Sequence, residues 1–452
     1  MISPSTRTEL KALLSLALPI LGGQLAQSAN GFVDTVMAGR VGANELAAVA
    51  VGASIWVPLF LFMTGVLMSV TPILSRHMGG GLHQRITPLT QQALWLAMAL
   101  GVLAMLALRS MSPVMELMEV DASIRPIVSD YLQAISWGMP AAALWLALRA
   151  YTEAMSHTRP VLWISLIGLL INIPTNYVLI YGKLGFPAMG GVGCGWATAF
   201  VLWLMALMMG LYIALHSAYE GVRLRFSQRH WEPDSLLYMF RLGLPVGLSI
   251  FFEVSIFSII ALFISQLGAQ TVAGHQIALN FTALVFMLPL SLSLATTVRV
   301  GMSRGADDPR RLQLAVRTSL QLSVLIGFAT AIALLLGRHW IPMIYTDNEQ
   351  VRTLARFLLI FAAMYQVSDA LQVWASGCLR GCEDTAWPML LTLLSYWGLG
   401  LPVGYVLGMT NVWVPAMGPS GFWIGLVVGL SCAALLLGGR LVWRMKRVMA
   451  AA

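Results

Sequence analysis

Long apolar runs alternate along this chain with short segments that hold most of its charges. A helix rising about 1.5 Å per residue needs roughly 20 residues to cross a hydrocarbon core about 30 Å thick. Twelve runs approach or exceed that length, over residues 12–38, 48–75, 91–109, 128–153, 160–181 and 190–215, then 237–265, 272–302, 313–337, 353–379, 387–408 and 418–440. Each predicts a helix, because lipid offers no partner to an unpaired backbone group and no run shows the period-2 alternation of a barrel strand. The expected fold class is an all-α membrane protein with twelve transmembrane helices. The first run follows Arg7 and Lys11 and has the look of a signal peptide. A similar segment returns deep in the chain at Leu242, so the first run reads as a retained span.

That return is part of an internal repeat. Leu16-Ala17-Leu18-Pro19 reappears as Leu242-Gly243-Leu244-Pro245, Gly42-Ala43 as Gly268-Ala269, and Thr71 as Thr297, all offset by 226 in a chain of 452. Later the offset drifts to 228, where Pro174 and Tyr177 meet Pro402 and Tyr405. Six spans per copy is an even number, so both copies insert with one orientation. The expectation is two six-helix lobes, residues 1–222 and 223–452, related by a pseudo-twofold axis along the membrane normal. The longest polar connection, His216–Asp234, is the expected hinge. Secondary transporters commonly place substrate between two such repeats and expose it alternately.

Composition agrees with this reading. Hydrophobic residues make up 58% and charged residues 10%, against roughly 25% charged in an ordinary globular chain; mean hydropathy is +0.79. A soluble multidomain protein, a disordered chain, a coiled coil and a disulfide scaffold are all excluded. The net charge of +8 is not gathered into one basic segment, so no nucleic-acid partner is expected. Twenty of the 27 Lys and Arg residues fall on the side of the N-terminus, which places both termini in the cytoplasm. Cys378-x-x-x-Cys382 lacks common zinc spacing. There is no G-x-x-x-x-G-K-[ST] loop, no H-E-x-x-H and no G-x-S-x-G, so neither an enzyme nor a bound cofactor is expected. Energy must come from an ion gradient or an outside partner.

Ionisable groups inside a span cost a few kcal/mol or more and call for a partner, water or a function. Glu253 and Asp369 reach mid-membrane depth from opposite ends of spans 7 and 10, and Asp34 lies nearer the outer end of span 1. No Lys or Arg lies at similar depth. Each acid is either a protonated group bonded to a neighbouring helix or a site that alternately holds H⁺ or Na⁺; the second reading is favoured. At the repeat offset Gln27 stands opposite Glu253 and Ile260 opposite Asp34, so the acids are additions specific to each lobe. Tyr365 is one helical turn from Asp369 and shares its face. Asn172 and Asn176 form a pair at the same spacing, suited to a small cation or to interhelical hydrogen bonding. Gln276 and Asn280 form another, either structural or lining a substrate cavity. Gly421-x-x-x-Gly425-x-x-x-Gly429 reads as a helix-packing face. Pro19, Pro58, Pro140, Pro174, Pro245, Pro289 and Pro402 permit bends.

With its segments LALPILGGQLAQSANGFVDTVMAGRVG from residue 16, LGLPVGLSIFFEVSIF at 242–257, AGHQIALNF at 273–281, VSDALQVWASGCLRGCEDT at 367–385 and MGGVGCGWATA at 189–199, the chain resembles the multidrug and toxic compound extrusion (MATE) family in its NorM-type bacterial branch. The likeness runs over nearly the whole length. It implies a secondary active antiporter of the bacterial inner membrane, working as a monomer, that exports cationic or amphipathic drugs and dyes in exchange for Na⁺ or H⁺ by alternating access. The family's cation sites carry over to Glu253, Tyr365 and Asp369 in the C-terminal lobe, and to Asp34, Asn172, Asn176 and Thr198 in the N-terminal lobe. No metal beyond Na⁺ is implied. Other branches carry an acid where Asn176 stands, which leaves the ion of the N-terminal site open. The competing expectation is a lipid-linked precursor flippase of the same superfamily, but a diphosphate calls for basic residues in the cavity, and the mid-span charges here are acidic.

The orientation has a direct check. Single cysteines placed at Gln270 and Asn411 should react with an impermeant thiol reagent on intact cells, and cysteines at Arg225 and Arg310 should not. The opposite pattern would invert the topology.

Overall fold

A computed structural model describes residues 4–117, 121–222 and 231–450. Residues 223–230 of the expected hinge lie outside the described residues. The N-terminal half contains α1 (Pro4–Gly39), α2 (Ala43–Leu67), α3 (Val70–Gly79), α4 (His83–Arg109), α5 (Ser112–Leu117), α6 (Arg125–Ser136), α7 (Met139–Ala154), α8 (Arg159–Tyr181) and α9 (Gly191–Leu215). A 3₁₀ turn over Ser217–Val222 follows. The second half contains α10 (Pro233–Ser265), α11 (Ala269–Gly305), α12 (Pro309–Gly337), α13 (Ile341–Tyr345), α14 (Glu349–Gly381), α15 (Ala386–Leu393), a π-helical stretch over Leu394–Gly400, α16 (Leu401–Met409) and α17 (Pro419–Ala450).

Eleven helical stretches among the described residues are long and apolar enough to cross a membrane. The twelfth span expected from sequence, 128–153, is carried by α6 and α7, which follow one another across a break at Trp137 and Gly138. Pro140 sits in the first turn after that break, where its missing N–H has no intrahelical role to lose. Pro402 begins α16 in the same way after the π-helical stretch. Pro19, Pro58, Pro174, Pro245 and Pro289 lie inside helices. Two of the helices that outrun their apolar spans, α12 and α14, start at polar caps. Asp308 accepts from the Arg311 amide at 3.0 Å to start α12, and Asn348 accepts from those of Gln350 and Val351 at 3.0 and 3.3 Å to start α14.

The chain forms two compact units, Leu18–Gly247 and a second made of Met1–Ala17 with Leu248–Ala452. The repeat-based division at 222/223 falls inside the first of these. Each copy's opening helix is therefore split: the first turns of α1 pack in the second unit, and the first turns of α10 in the first. In the second unit, Leu13, Leu16 and Ala17 are buried with Ala295 and Val298, and Glu9 accepts from Arg299 at 2.8 and 2.5 Å. In the first unit, Met239 and Leu242 join the core, and the Ser69 hydroxyl donates to the Met239 carbonyl at 2.9 Å. An added Cβ on Gly247 would lie 2.9 Å from the Phe62 carbonyl oxygen, and one on Gly243 would lie closer still to that of Val66. Small residues at these two positions let the helix in. The start of the connecting segment is held as well: Tyr219 is fully buried and stacks on Tyr151, and the Tyr151 hydroxyl donates to the Val222 carbonyl at 2.7 Å.

In the second unit the glycine face of α17 meets a glycine ridge with the same spacing. Gly421 packs on Gly408, Gly425 on Gly400 and Gly404, and Gly429 on Ser395 and Gly400. Backbones approach directly here, so dispersion between the two main chains replaces side-chain packing. Gly425→Ala would push a methyl group into the Gly400 carbonyl and should cost about 1–3 kcal/mol in detergent unfolding. Gly438→Ala, which faces open space on the same helix, should leave stability unchanged or raise it. Equal unfolding temperatures for the two variants would remove the close-packed ridge from the account.

Candidate functional site

The first unit gathers Asp34, Asn172, Asn176 and Thr198 at one point. Asp34 projects from α1, the two asparagines from one face of α8, and Thr198 from α9. The Asn176 amide donates to Asp34 Oδ1 at 2.6 Å and to Asn172 Oδ1 at 2.9 Å. The Thr198 hydroxyl donates to Asp34 Oδ2 at 2.9 Å. The carboxylate is buried and both of its oxygens are met by the protein's own donors. Cys194, one turn before Thr198, donates its thiol to the Asp34 carbonyl at 3.6 Å. Asn176 Oδ1 is buried without a partner, so the cluster retains a free acceptor, and Asn172 lies within hydrogen-bond reach of the Asp34 carboxylate. Tyr131 lies within electrostatic range of Asp34 and accepts from the Trp56 indole at 3.0 Å.

The second unit brings together Glu253 of α10 with Tyr365 and Asp369 of α14. Asp369 and Tyr365 are buried, and Glu253 is partly so. The two carboxylates lie within electrostatic range of one another, and Gln372 is within hydrogen-bond reach of Asp369. Among the described residues, no ion pair engages Asp34, Glu253 or Asp369. Two acids in a common interior present hard oxygen donors, the kind of ligand that small hard cations favour. No group of three or more His, Cys, Asp and Glu occurs among the described residues.

Several residues at this second site carried no signal in the sequence argument. Gln372 stands three positions after Asp369 on the same helical face, and that spacing would have found it. Tyr396 is buried within range of Glu253, Asp369 and Tyr365, with its hydroxyl unpartnered. It lies on the π-helical stretch, a local geometry often found at functional sites. Its neighbour Trp397 donates to the Phe252 carbonyl at 3.1 Å, tying this stretch to α10 one residue before Glu253. Gln276 and Asn280 do not join the acids; both are exposed on one face of α11.

The MatE family model matches this chain twice, over residues 19–178 and 245–406. The two matched starts are 226 apart and the two ends 228, the same drift read from the repeat. The chain is 45% identical over 442 residues to the multidrug resistance protein MdtK of Yersinia pseudotuberculosis serotype O:1b (strain IP 31758), covering 97% of this chain and 96% of the relative. It is 44% identical over 445 residues to the protein of the same name from Edwardsiella ictaluri (strain 93-146), with the same shares covered. Its fold matches the crystal structure of the eukaryotic MATE transporter AtDTX14 with a TM-score of 0.89 at 19% identity, covering 98% of this chain and 99% of that one. A mutant of the Vibrio cholerae MATE transporter VcmN matches with a TM-score of 0.88 at 15% identity, covering 100% and 99%.

The hydrogen bonds at Asp34 give a prediction about stability. In Asp34→Asn the new amide can donate to the Thr198 oxygen while its carbonyl still accepts from Asn176, so unfolding in detergent should shift by less than about 1 kcal/mol. Asp34→Leu strands both donors and should cost roughly 1–3 kcal/mol. Equal stability of the two variants would show that these bonds do not hold α1 to α8 and α9.

Proposed function

The chain belongs to the MatE family, and on that premise we propose that it is a secondary active multidrug exporter of the bacterial inner membrane. It exchanges cationic or amphipathic compounds for Na⁺ or H⁺ by alternating access of its two lobes, with both termini in the cytoplasm. The MdtK relatives are named for multidrug resistance, and their near full-length likeness supports the same substrate class here. The observation that carries the coupling is the pairing of Glu253 with Asp369 in one interior without a basic partner. Two carboxylates close together in low dielectric cannot both stay ionised cheaply, so a cation or a proton stabilises the pair. A cationic drug that draws on the same negative charge binds less well while the ion is held. That competition is what links the two fluxes.

Tyr365 supports this site, with its hydroxyl and ring one turn from Asp369. Asp34 with Asn172, Asn176 and Thr198 is the corresponding polar centre of the other unit, and its carboxylate can take a proton if the Thr198 hydroxyl turns to accept it. Gln276 and Asn280 are amides exposed within a spanning helix. Lipid would leave them unsatisfied, so they suit the wall of a water-filled substrate cavity.

The test is drug efflux from proteoliposomes with Na⁺ and H⁺ gradients imposed separately. Glu253→Gln and Asp369→Asn keep side-chain shape and remove charge. Each should lower gradient-driven efflux by about tenfold or more, the effect of roughly 1.4 kcal/mol or more of lost coupling, while the protein still inserts and folds. If both variants export drug at the wild-type rate and respond normally to both gradients, the coupling lies elsewhere, and Asp34 becomes the leading candidate.

A further inference from the structure

Behind Tyr365 lies a chain of contacts that the coupling site does not itself require. The Tyr365 ring stacks on Trp423 of α17, with centroids 6.1 Å apart and planes 17° from parallel. The Trp423 indole N–H donates to His275 Nδ1 of α11 at 3.1 Å. Trp423 and His275 are both fully buried. Seven residues beyond His275, on the same face of α11, Thr282 is within hydrogen-bond reach of the Tyr365 hydroxyl. One face of α11 therefore reaches Tyr365 twice, at its hydroxyl through Thr282 and at its ring through the indole of Trp423.

The imidazole is tautomerically fixed by this arrangement. Nδ1 accepts from the indole and carries no proton, so the ring N–H sits on Nε2. That Nε2 is buried with no partner. A buried unsatisfied donor is costly, and a leucine would fill the position without that cost. What the histidine provides and a leucine does not is the Nδ1 acceptor. The acceptor fixes the rotation of the Trp423 indole, which sets the plane against which Tyr365 stacks.

We propose that His275 is a positioning residue for the coupling site: its Nδ1 orients Trp423, and Trp423 orients Tyr365 beside Asp369. The inference rests on the reading of Glu253, Tyr365 and Asp369 as that site. His275 touches neither ion nor drug. Its effect is on how well Tyr365 is held where the ion binds, so it governs the apparent affinity for the driving ion more than the turnover rate.

The experiment measures efflux of a fluorescent cationic dye from proteoliposomes while the driving Na⁺ or H⁺ concentration is varied, giving a half-saturation value and a maximal rate. His275→Leu removes the acceptor and should raise the half-saturation concentration about three- to tenfold, the scale of one neutral hydrogen bond, with maximal rate within about twofold. His275→Asn places an amide oxygen where Nδ1 stood and should restore most of the wild-type value. Trp423→Phe keeps a stacking ring without the N–H and should match His275→Leu, and the double variant should be no worse than either single one. A fall in maximal rate with unchanged half-saturation, failure of His275→Asn to rescue, or additive effects in the double variant would each overturn the proposal. Asp369→Asn in the same assay separates the two readings. Normal coupling in that variant sinks the site itself, whereas lost coupling there with normal ion affinity in His275→Leu sinks only the role of His275.

Discussion

A carboxylate inside a membrane protein has little water to draw on, and it calls for donors, a proton or a cation. The two units answer this demand differently. Around Asp34 the protein supplies the donors itself, Asn176 to one oxygen and Thr198 to the other. Around Glu253 and Asp369 it supplies a second acid and one amide, Gln372. The first arrangement is satisfied locally. The second leaves two neighbouring acids with no ion-pair partner among the described residues, and on the proposed reading a driving ion and a cationic substrate compete for them. Desolvation is the main cost of placing these acids here, and on the proposed reading it is also what favours a positive partner.

The same deficit of partners in lipid shapes the scaffold. Backbone groups must be paired within helices, so the chain gains little from side-chain hydrophobicity when helices associate and relies on close approach instead. Glycines supply that approach where α17 meets the α15–α16 segment, and again where Gly243 and Gly247 let α10 reach the carbonyls of Val66 and Phe62. Breaks are placed where a partner or a proline tolerates them. The π-helical stretch at Leu394–Gly400 gives up regular pairing, and there Tyr396 and Trp397 turn toward the acids and toward α10.

The twelve spans and the repeat were legible in sequence because both follow from length and order alone. The acids were legible because ionisable residues are rare at such depth, and the structure brings Asp34, Asn172, Asn176 and Thr198 together on three helices that spacing alone could not dock. What stayed hidden was of two kinds. Span 128–153 read as one helix because nothing in Trp137-Gly138 announces a break stronger than an ordinary glycine. His275, Trp423 and Tyr396 carried no signal in the sequence, since what sets them apart is which ring faces which, and a linear pattern carries no such orientation. The split of α1 and α10 between units was hidden for a related reason: a repeat marks what was copied, whereas packing decides where each end docks.

The duplication explains why one scaffold can hold two unlike centres. At the repeat offset Asp34 corresponds to Ile260, which is buried in the apolar core of the second unit, and Glu253 corresponds to Gln27. A position that is apolar in one copy is the site of charge in the other, although the surrounding helices match in order. Had packing required an acid at these places, both copies would need it; Ile260 shows that the fold closes without one. The charge is therefore an addition that the scaffold tolerates, and tolerance has a local source in each unit. Donors on α8 and α9 accept Asp34, and the buried face formed by Tyr365, Trp423 and His275 leaves Asp369 without a counter-charge. A scaffold that closes around Ile260 in one copy and Asp34 in the other leaves chemistry free to diverge between the two halves, so its two polar centres need not respond alike.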